Sequence, residues 1–219
     1  MFLVIDAKET RLFGACFEND QMVDAFTYTL PLTDEFLKRI EGKQFEKTLI
    51  ASTHNDTADL IQKMLPAAAV MQPHDFSKLW QEKKPLTADR IANIYGALYH
   101  FPSNDCIVID LGETMRCDYV TSQGQYLGGA VFAFQASKDR PADVLIDEQA
   151  TGSYFGLLGA AERIAAELRR ASASPSAVMV IATGLCTTSE VLSDDLSDFV
   201  DAIDPYLAMR GLNEILKEK

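Results

Sequence analysis

The sequence predicts an α/β protein built from two lobes that are related by internal duplication. The chain is long enough for two small domains, its buried strand patterns alternate with amphipathic helices, and one short motif occurs twice. With 219 residues, of which 47% are hydrophobic and 24% charged, the composition is that of an ordinary globular protein. We expect the lobes at residues 1–101 and 102–219, because Pro102, Ser103 and Asn104 form a loop signal at the boundary.

The repeated motif is an apolar strand followed by a short polar turn. Val4–Thr10 and Val108–Thr114 share the pattern Val-Ile-Asp-x-x-Glu-Thr and match at five of seven positions. Such runs also occur by chance, since many strands contain Val-Ile. Here, however, both copies lead into a second strand at the start of a lobe, which favours duplication.

Hydrophobic periodicity predicts the other elements of each lobe. In the first lobe we expect strands over residues 1–6, 11–18, 47–52 and 70–71, and helices over 35–40, 57–64 and 87–100. In the second lobe we expect strands over 106–110, 116–121, 126–134 and 177–182, and helices over 151–171 and at the C-terminus. Gly152, Gly156 and Gly159 lie on one side of the long helix, which predicts close packing against a neighbouring backbone.

Charge and cysteine usage exclude several classes of protein. The net charge of −12 argues against nucleic acid as a partner, because phosphate backbones select basic surfaces. The four cysteines form no CxxC pair, which favours a reducing compartment over a disulfide scaffold. The N-terminal apolar run is short and lacks a basic start, and no stretch reaches the roughly 20 apolar residues that span a bilayer. We therefore expect a cytoplasmic protein without a membrane partner.

Acidic residues stand at the ends of the two repeated strands. Asp6 and Asp110 close these strands, and two facing hairpins of this kind would form a cleft between the lobes. Backbone N–H groups of tight turns bind phosphate oxygens, the Thr10 hydroxyl adds a donor, and carboxylates suit the cation that accompanies a nucleotide. The alternative is that each aspartate only ends a strand and caps a turn.

Asp89 is a candidate general base. It lies two residues after Thr87, which is a good N-cap for the helix predicted over 87–100. A base that takes a hydroxyl proton must be ionised and rigidly placed, and a helix N-terminus provides both conditions. The alternative is an ordinary helix-capping acid.

Taken in order, these motifs resemble those of type III pantothenate kinases, which belong to the superfamily of actin, Hsp70 and sugar kinases. The resemblance covers nearly the whole chain. The segments that carry it are Asp6–Phe13, Thr87–Arg90 with Asn93, Asp110–Gly112, Tyr126–Ala130, Gly152–Gly159 and Ile181–Gly184. It implies two actin-like, or ribonuclease H-like, lobes with a cleft between them.

The resemblance also implies an activity, which is the ATP-dependent phosphorylation of pantothenate in coenzyme A biosynthesis. Asp89 would accept the hydroxyl proton, and Asp110 would bind a monovalent cation, potassium or ammonium. The ATP-binding residues, which would act with Mg²⁺, would be Asp6, Lys8, Thr10, Gly112, Glu113 and Gly184. The residues that hold pantothenate would be Trp80, Thr87, Ala88 and Arg90. The family is dimeric, so the resemblance implies a homodimer whose interface completes the substrate site.

The phosphate turns differ from the family pattern. Lys8 and Glu9 replace glycine and asparagine, Glu113, Met115 and Arg116 replace threonines, Thr87 and Leu185 replace glycines, and the stretch over 132–147 is shorter. The loss of one preorganised donor typically lowers a rate by about 10²–10³, so these changes predict weakened kinase activity. The alternative is a non-catalytic relative that keeps the fold to bind a ligand or to regulate. A third reading is another acidic-cleft enzyme, such as a sugar-type kinase.

Overall fold

The structure, a computed structural model, describes residues 1–30, 34–79, 85–112, 114–133, 139–172 and 177–218. The chain divides into two compact units. Unit 1 consists of Met1–Ser77, Lys84–Gly96 and Ala208–Lys219, and unit 2 consists of Lys78–Lys83 and Ala97–Leu207. The lobe ranges 1–101 and 102–219 stay a prediction.

The first sheet has five strands among the described residues. They are β1 (Phe2–Ala7), β2 (Arg11–Glu18), β3 (Gln21–Thr29), β4 (Lys47–Ser52) and β5 (Ala69–Val70). The helices in this part of the chain are α1 (Asp34–Ile40), α2 (Asn55–Met64) and α3 (Ala88–His100), with a 3₁₀ helix at Pro73–Leu79. The strand order is β3-β2-β1-β4-β5, in which β1 to β3 are antiparallel and β4 and β5 run parallel to β1.

The second sheet also has five strands in the described part of the chain. They are β6 (Asp105–Leu111), β7 (Met115–Val120), β8 (Tyr126–Phe132), β9 (Val178–Thr183) and β10 (Ala202–Ile203). The helices in this part of the chain are α4 (Glu148–Arg170), α5 (Glu190–Leu196) and α6 (Leu207–Glu218), with a 3₁₀ helix at Leu185–Thr188. From Ala208 onward, α6 belongs to unit 1. The strand order is β10-β9-β6-β7-β8.

The two sheets have the same topology. In each, the first strand pairs antiparallel with the second and parallel with the fourth, and a helix lies between the third and fourth strands. The repeated aspartates occupy equivalent positions, since Asp6 and Asp110 are the penultimate residues of β1 and β6. The structure therefore confirms the predicted α/β fold and the internal duplication.

Each unit has its own apolar core, built from alternate residues of its central strands. In unit 1, Leu3 and Ile5 of β1 pack in one cluster with Phe36 of α1 and Ile61 of α2, and all four side chains are fully buried. Side chains that alternate along a strand point to opposite faces of the sheet. Because burial of one large apolar side chain stabilises a fold by about 1.5–3 kcal/mol, this cluster fixes β1 in the sheet.

The core of unit 2 repeats this arrangement. Ile107 and Ile109 of β6 lie in one cluster with Tyr154 and Leu157 of α4, and these four side chains are also fully buried. Helix side chains on one face of the sheet thus hold β6 in place, as they hold β1 in unit 1. In both units the strand that ends in the repeated aspartate is anchored by packing.

Three features of the fold differ from the sequence-based expectations. The predicted close packing at Gly152, Gly156 and Gly159 is not found among the described residues, because a Cβ built at any of them meets none of their atoms within 4 Å. The strands β3 and β10 were not predicted at all. α4 begins at Glu148, three residues before the predicted start, because the Asp147 carboxylate accepts a hydrogen bond from the Ala150 N–H at 3.0 Å and caps the helix.

No helix in the described ranges combines the length and the apolar character that crossing a bilayer requires.

Candidate active site

The first part of the candidate site is the turn that follows β1. Asp6 lies in the middle of the sheet, opposite Phe13 of β2 and Ala51 of β4, and only 4% of its surface is exposed. The Lys8 N–H donates to the Arg11 carbonyl at 2.8 Å, which closes the turn. The Thr10 carbonyl accepts from the Leu30 N–H at 2.8 Å. These bonds hold the turn rigidly, and they use the Lys8 amide inside it.

The second part is the first turn of α3. The Ile91 N–H donates to the Thr87 carbonyl at 3.1 Å, so Thr87 occupies the N-cap position that the sequence predicts. The Thr87 hydroxyl donates to Oδ1 of Asp89, and the Arg90 N–H donates to the same oxygen at 3.0 Å. Asp89 is 1% exposed. Local hydrogen bonds within the first turn of α3 therefore hold its carboxylate, independently of contacts with the rest of unit 1.

A single ammonium group joins these two parts. Lys8 Nζ lies 2.5 Å from Oδ2 of Asp89 and 3.2 Å from Oδ2 of Asp6. The three side chains are 24%, 1% and 6% exposed, in the order Lys8, Asp89 and Asp6. Hydrogen bonds between ionised groups are short and strong, and burial strengthens them further. The strand-end acid and the helix acid therefore converge at Lys8, a contact that the sequence did not predict.

The position of α3 depends on a close approach between helices. A Cβ built at Gly211 of α6 would lie 1.8 Å from the Ala92 carbonyl oxygen and 2.7 Å from the Gly96 nitrogen of α3. Only a glycine lets the two helix backbones lie this near each other. Asn93, 2% exposed, follows Asp89 by one helical turn on the same face of α3. Gly211 was missed because a glycine inside a helical pattern has no specific sequence signal.

Unit 2 holds a second cluster, at the corresponding end of its own sheet. Asp110 of β6 lies opposite Thr183 of β9, and Gly184 follows with φ of 96°. A Cβ at Gly184 would lie 2.6 Å from Oδ1 of Asp110 and 2.8 Å from the Leu111 carbonyl oxygen. A Cβ at Gly112 would lie 3.7 Å from the same carboxylate oxygen. The structure thus brings together Asp110, Gly112 and Gly184.

Burial dominates the electrostatics beneath this second cluster. The pKa of Cys117 is raised to about 12, mainly by burial and to a lesser degree by the charges of Asp118 and Asp110. The thiol is therefore uncharged at neutral pH. Among the described residues, no three His, Cys, Asp or Glu side chains form a metal-binding group.

Replacing Gly184 with alanine is expected to lower the free energy of unfolding by about 2–4 kcal/mol. The backbone at 184 has a positive φ, and the new Cβ would overlap the Asp110 carboxylate and the Leu111 carbonyl. Gly112→Ala is the matched control, because its Cβ would make only ordinary contacts. Thermal unfolding followed by circular dichroism compares the two variants, and equal melting temperatures would refute this account of Gly184.

The other predicted site residues are placed as follows. Thr87 is exposed, Ala88 is buried and Arg90 is half-buried at the start of α3. Trp80 and Glu113 lie outside the described residues.

Comparisons with known proteins identify a family. A family model described as type III pantothenate kinase matches residues 2–133. The type III pantothenate kinase of Christiangramia forsetii is 26% identical over 99% of this chain and 98% of its own length. The chain also resembles a ROK family glucokinase from Streptomyces griseus, with a TM-score of 0.58 and 12% identity over 100% of this chain and 99% of that one. A Bacteroides thetaiotaomicron protein with an actin-like ATPase fold gives a TM-score of 0.51 and 10% identity over 96% and 94%. These two likenesses show the fold alone.

Proposed function

The chain belongs to the type III pantothenate kinase family, and from this premise we propose that it transfers the γ-phosphate of ATP to the primary hydroxyl of pantothenate. The reaction would place the protein in coenzyme A biosynthesis. One observation carries the proposal: Asp89 and Asp6, 83 residues apart in the sequence, converge on the same ammonium group of Lys8.

Asp89 would act as the general base. Its buried carboxylate is held at the helix N-terminus by the Thr87 hydroxyl and the Arg90 N–H. A base placed within hydrogen-bond reach of the acceptor hydroxyl contributes about 10²–10⁴ to a rate. Both carboxylate oxygens already have partners, so the Oδ2 bond to Lys8 must open or be shared when the pantothenate hydroxyl arrives. In the same proposal the guanidinium of Arg90 would pair with the carboxylate of pantothenate, and Thr87, Ala88 and Trp80 would complete its site.

ATP would be held by residues of the phosphate turns that the family resemblance identifies. Lys8 and Thr10 would contact its phosphates, and Gly112, Glu113 and Gly184 are the other residues that we propose for nucleotide binding. When bound with ATP, Mg²⁺ supplies positive charge that offsets the charge on the transferred phosphoryl group.

Asp110 would hold the monovalent cation. Its Oδ1 and the Leu111 carbonyl oxygen converge near Gly184, and hard cations take oxygen ligands of these two kinds. The residues present therefore fit such an ion. We further propose a cytoplasmic homodimer, which the family resemblance supports.

The test is a phosphorylation assay with the purified full chain, pantothenate, ATP, magnesium and potassium. Mass spectrometry should detect pantothenate that has gained one phosphate, with an equal amount of ADP. Reactions without pantothenate measure any background ATP hydrolysis. If no phosphorylated product rises above the enzyme-free background at high protein concentration, the proposal is wrong.

A second candidate function is a non-catalytic relative that keeps the fold for binding or regulation. The specific observation that favours it is Lys8, whose ammonium is bonded to Asp89 and whose N–H is used inside the turn. Because both of these Lys8 donors are already used, the turn offers a phosphate fewer hydrogen-bond donors than a turn with glycine at this position would. Titration calorimetry with ATP and Mg²⁺ separates the two candidates, since clear binding supports the kinase and its absence supports the non-catalytic relative.

A further inference from the structure

The carboxylates of Asp6 and Asp89 share one positive charge, which is the ammonium of Lys8. Both carboxylates are almost fully buried, and the nitrogen lies 3.2 Å from one and 2.5 Å from the other. Two buried carboxylates this near to one point repel each other unless a cation lies between them. In many proteins a divalent metal ion supplies that charge.

The pair does not fit a divalent ion while Lys8 is in place. Mg²⁺, Mn²⁺ and Ca²⁺ bind carboxylate oxygens at about 2.0–2.6 Å. An ion shared by the two Oδ2 atoms would have to occupy nearly the same point as Lys8 Nζ, which already lies within 3.2 Å of both. It would also meet the positive charge of the ammonium.

Lys8 has a further advantage over a free ion, because it is tethered. Its N–H is fixed to the Arg11 carbonyl at 2.8 Å in the turn that follows β1, so the side chain starts from a rigid backbone. A tethered group acts at an effective concentration of about millimolar or above. A dissolved divalent ion at similar concentration must displace it and also overcome the repulsion.

We infer that Asp6 and Asp89 form a cation site that the chain fills with its own Lys8 ammonium and closes to divalent metal ions. In the unliganded protein Lys8 offsets one of the two negative charges and occupies the point between the carboxylates, so a divalent ion that reaches this unit must find its ligands elsewhere, for example on a polyphosphate. The inference concerns ion binding alone and holds whether or not the chain phosphorylates pantothenate.

Titration of the full chain with Mn²⁺, followed by electron paramagnetic resonance, tests this inference. The unchanged protein and Asp6→Asn should bind the same number of Mn²⁺ ions, because Asp6 contributes no metal site. Lys8→Met should gain one site, and Lys8→Met combined with Asp6→Asn should lose it. Manganese at about 100-fold above its dissociation constant should raise the melting temperature of Lys8→Met by about 5–10 °C.

Lys43→Met is the matched control. It removes another lysine of unit 1, whose Nζ lies 3.2 Å from Oδ2 of Asp24, and it should gain no Mn²⁺ site. An Asp6-dependent Mn²⁺ site in the unchanged protein would overturn the inference, and this comparison does not require Lys8→Met to fold. A folded Lys8→Met variant that gains no site would overturn it as well.

Discussion

Replacing Gly211 with alanine is expected to lower the free energy of unfolding by about 3 kcal/mol, which is a fall of about 6–12 °C in melting temperature for a chain of this size. The new Cβ would lie 1.8 Å from the Ala92 carbonyl oxygen and 2.7 Å from the Gly96 nitrogen. Both atoms belong to the backbone of α3, so no side-chain rotation relieves the overlap. The helices must move apart, and α3 carries Asp89.

Gly152→Ala is the control for this prediction, because it is also a glycine-to-alanine change inside a helix. Its Cβ would meet no atom of the described residues within 4 Å, so the change should stabilise the protein by about 0.5–1 kcal/mol through higher helix propensity. Thermal and urea unfolding should therefore shift in opposite directions for the two variants. If both shift in the same direction by a similar amount, α6 does not pack against α3 as described.

The Asp89→Asn variant is expected to lower kcat for pantothenate phosphorylation by about 10²–10⁴. Asparagine keeps the size of the side chain but cannot accept the proton of the hydroxyl group. Its amide can still bond to the Thr87 hydroxyl, so the first turn of α3 should be kept and the fall should appear in kcat more than in KM. Steady-state kinetics with a coupled ADP assay measure the change.

Asp56→Asn provides the matched control for Asp89→Asn. Asp56 is also an acid in the first turn of a helix, α2, but its side chain is exposed. Its replacement should leave kcat within about twofold, because an exposed first-turn acid contributes only about 0.3–1 kcal/mol to helix stability. A similar loss of activity in both variants would mean that Asp89 acts through the fold and not as a base.

The fold could be predicted to a large extent because its main signals are local. The repeated strand-and-turn is an apolar run with an acid at its end. This motif predicted the strands β1 and β6, which occupy equivalent positions in two sheets of the same topology. The strand β3 was missed because its residues are mostly half-buried and alternate weakly. The two-residue strand β10 is too short for any periodicity to reveal.

The candidate site could be predicted only in part. Asp6 and Asp89 could be singled out because each belongs to a short motif, and a short motif can be recognised in a single sequence. The contact between Lys8 and Asp89 joins residues 81 positions apart. It depends on how α3 packs, so no local sequence pattern predicts it. The only hint was a lysine at a position where the family resemblance leads one to expect glycine.

The most direct test of the account is a crystal structure of the protein with pantothenate and a non-hydrolysable ATP analogue. We expect the primary hydroxyl of pantothenate within about 2.6–3.2 Å of an Asp89 oxygen, and phosphate oxygens against the turn that contains Lys8 and Thr10. Pantothenate bound away from Asp89, or no ligand while Lys8 still bridges Asp6 and Asp89, would contradict the proposed kinase site.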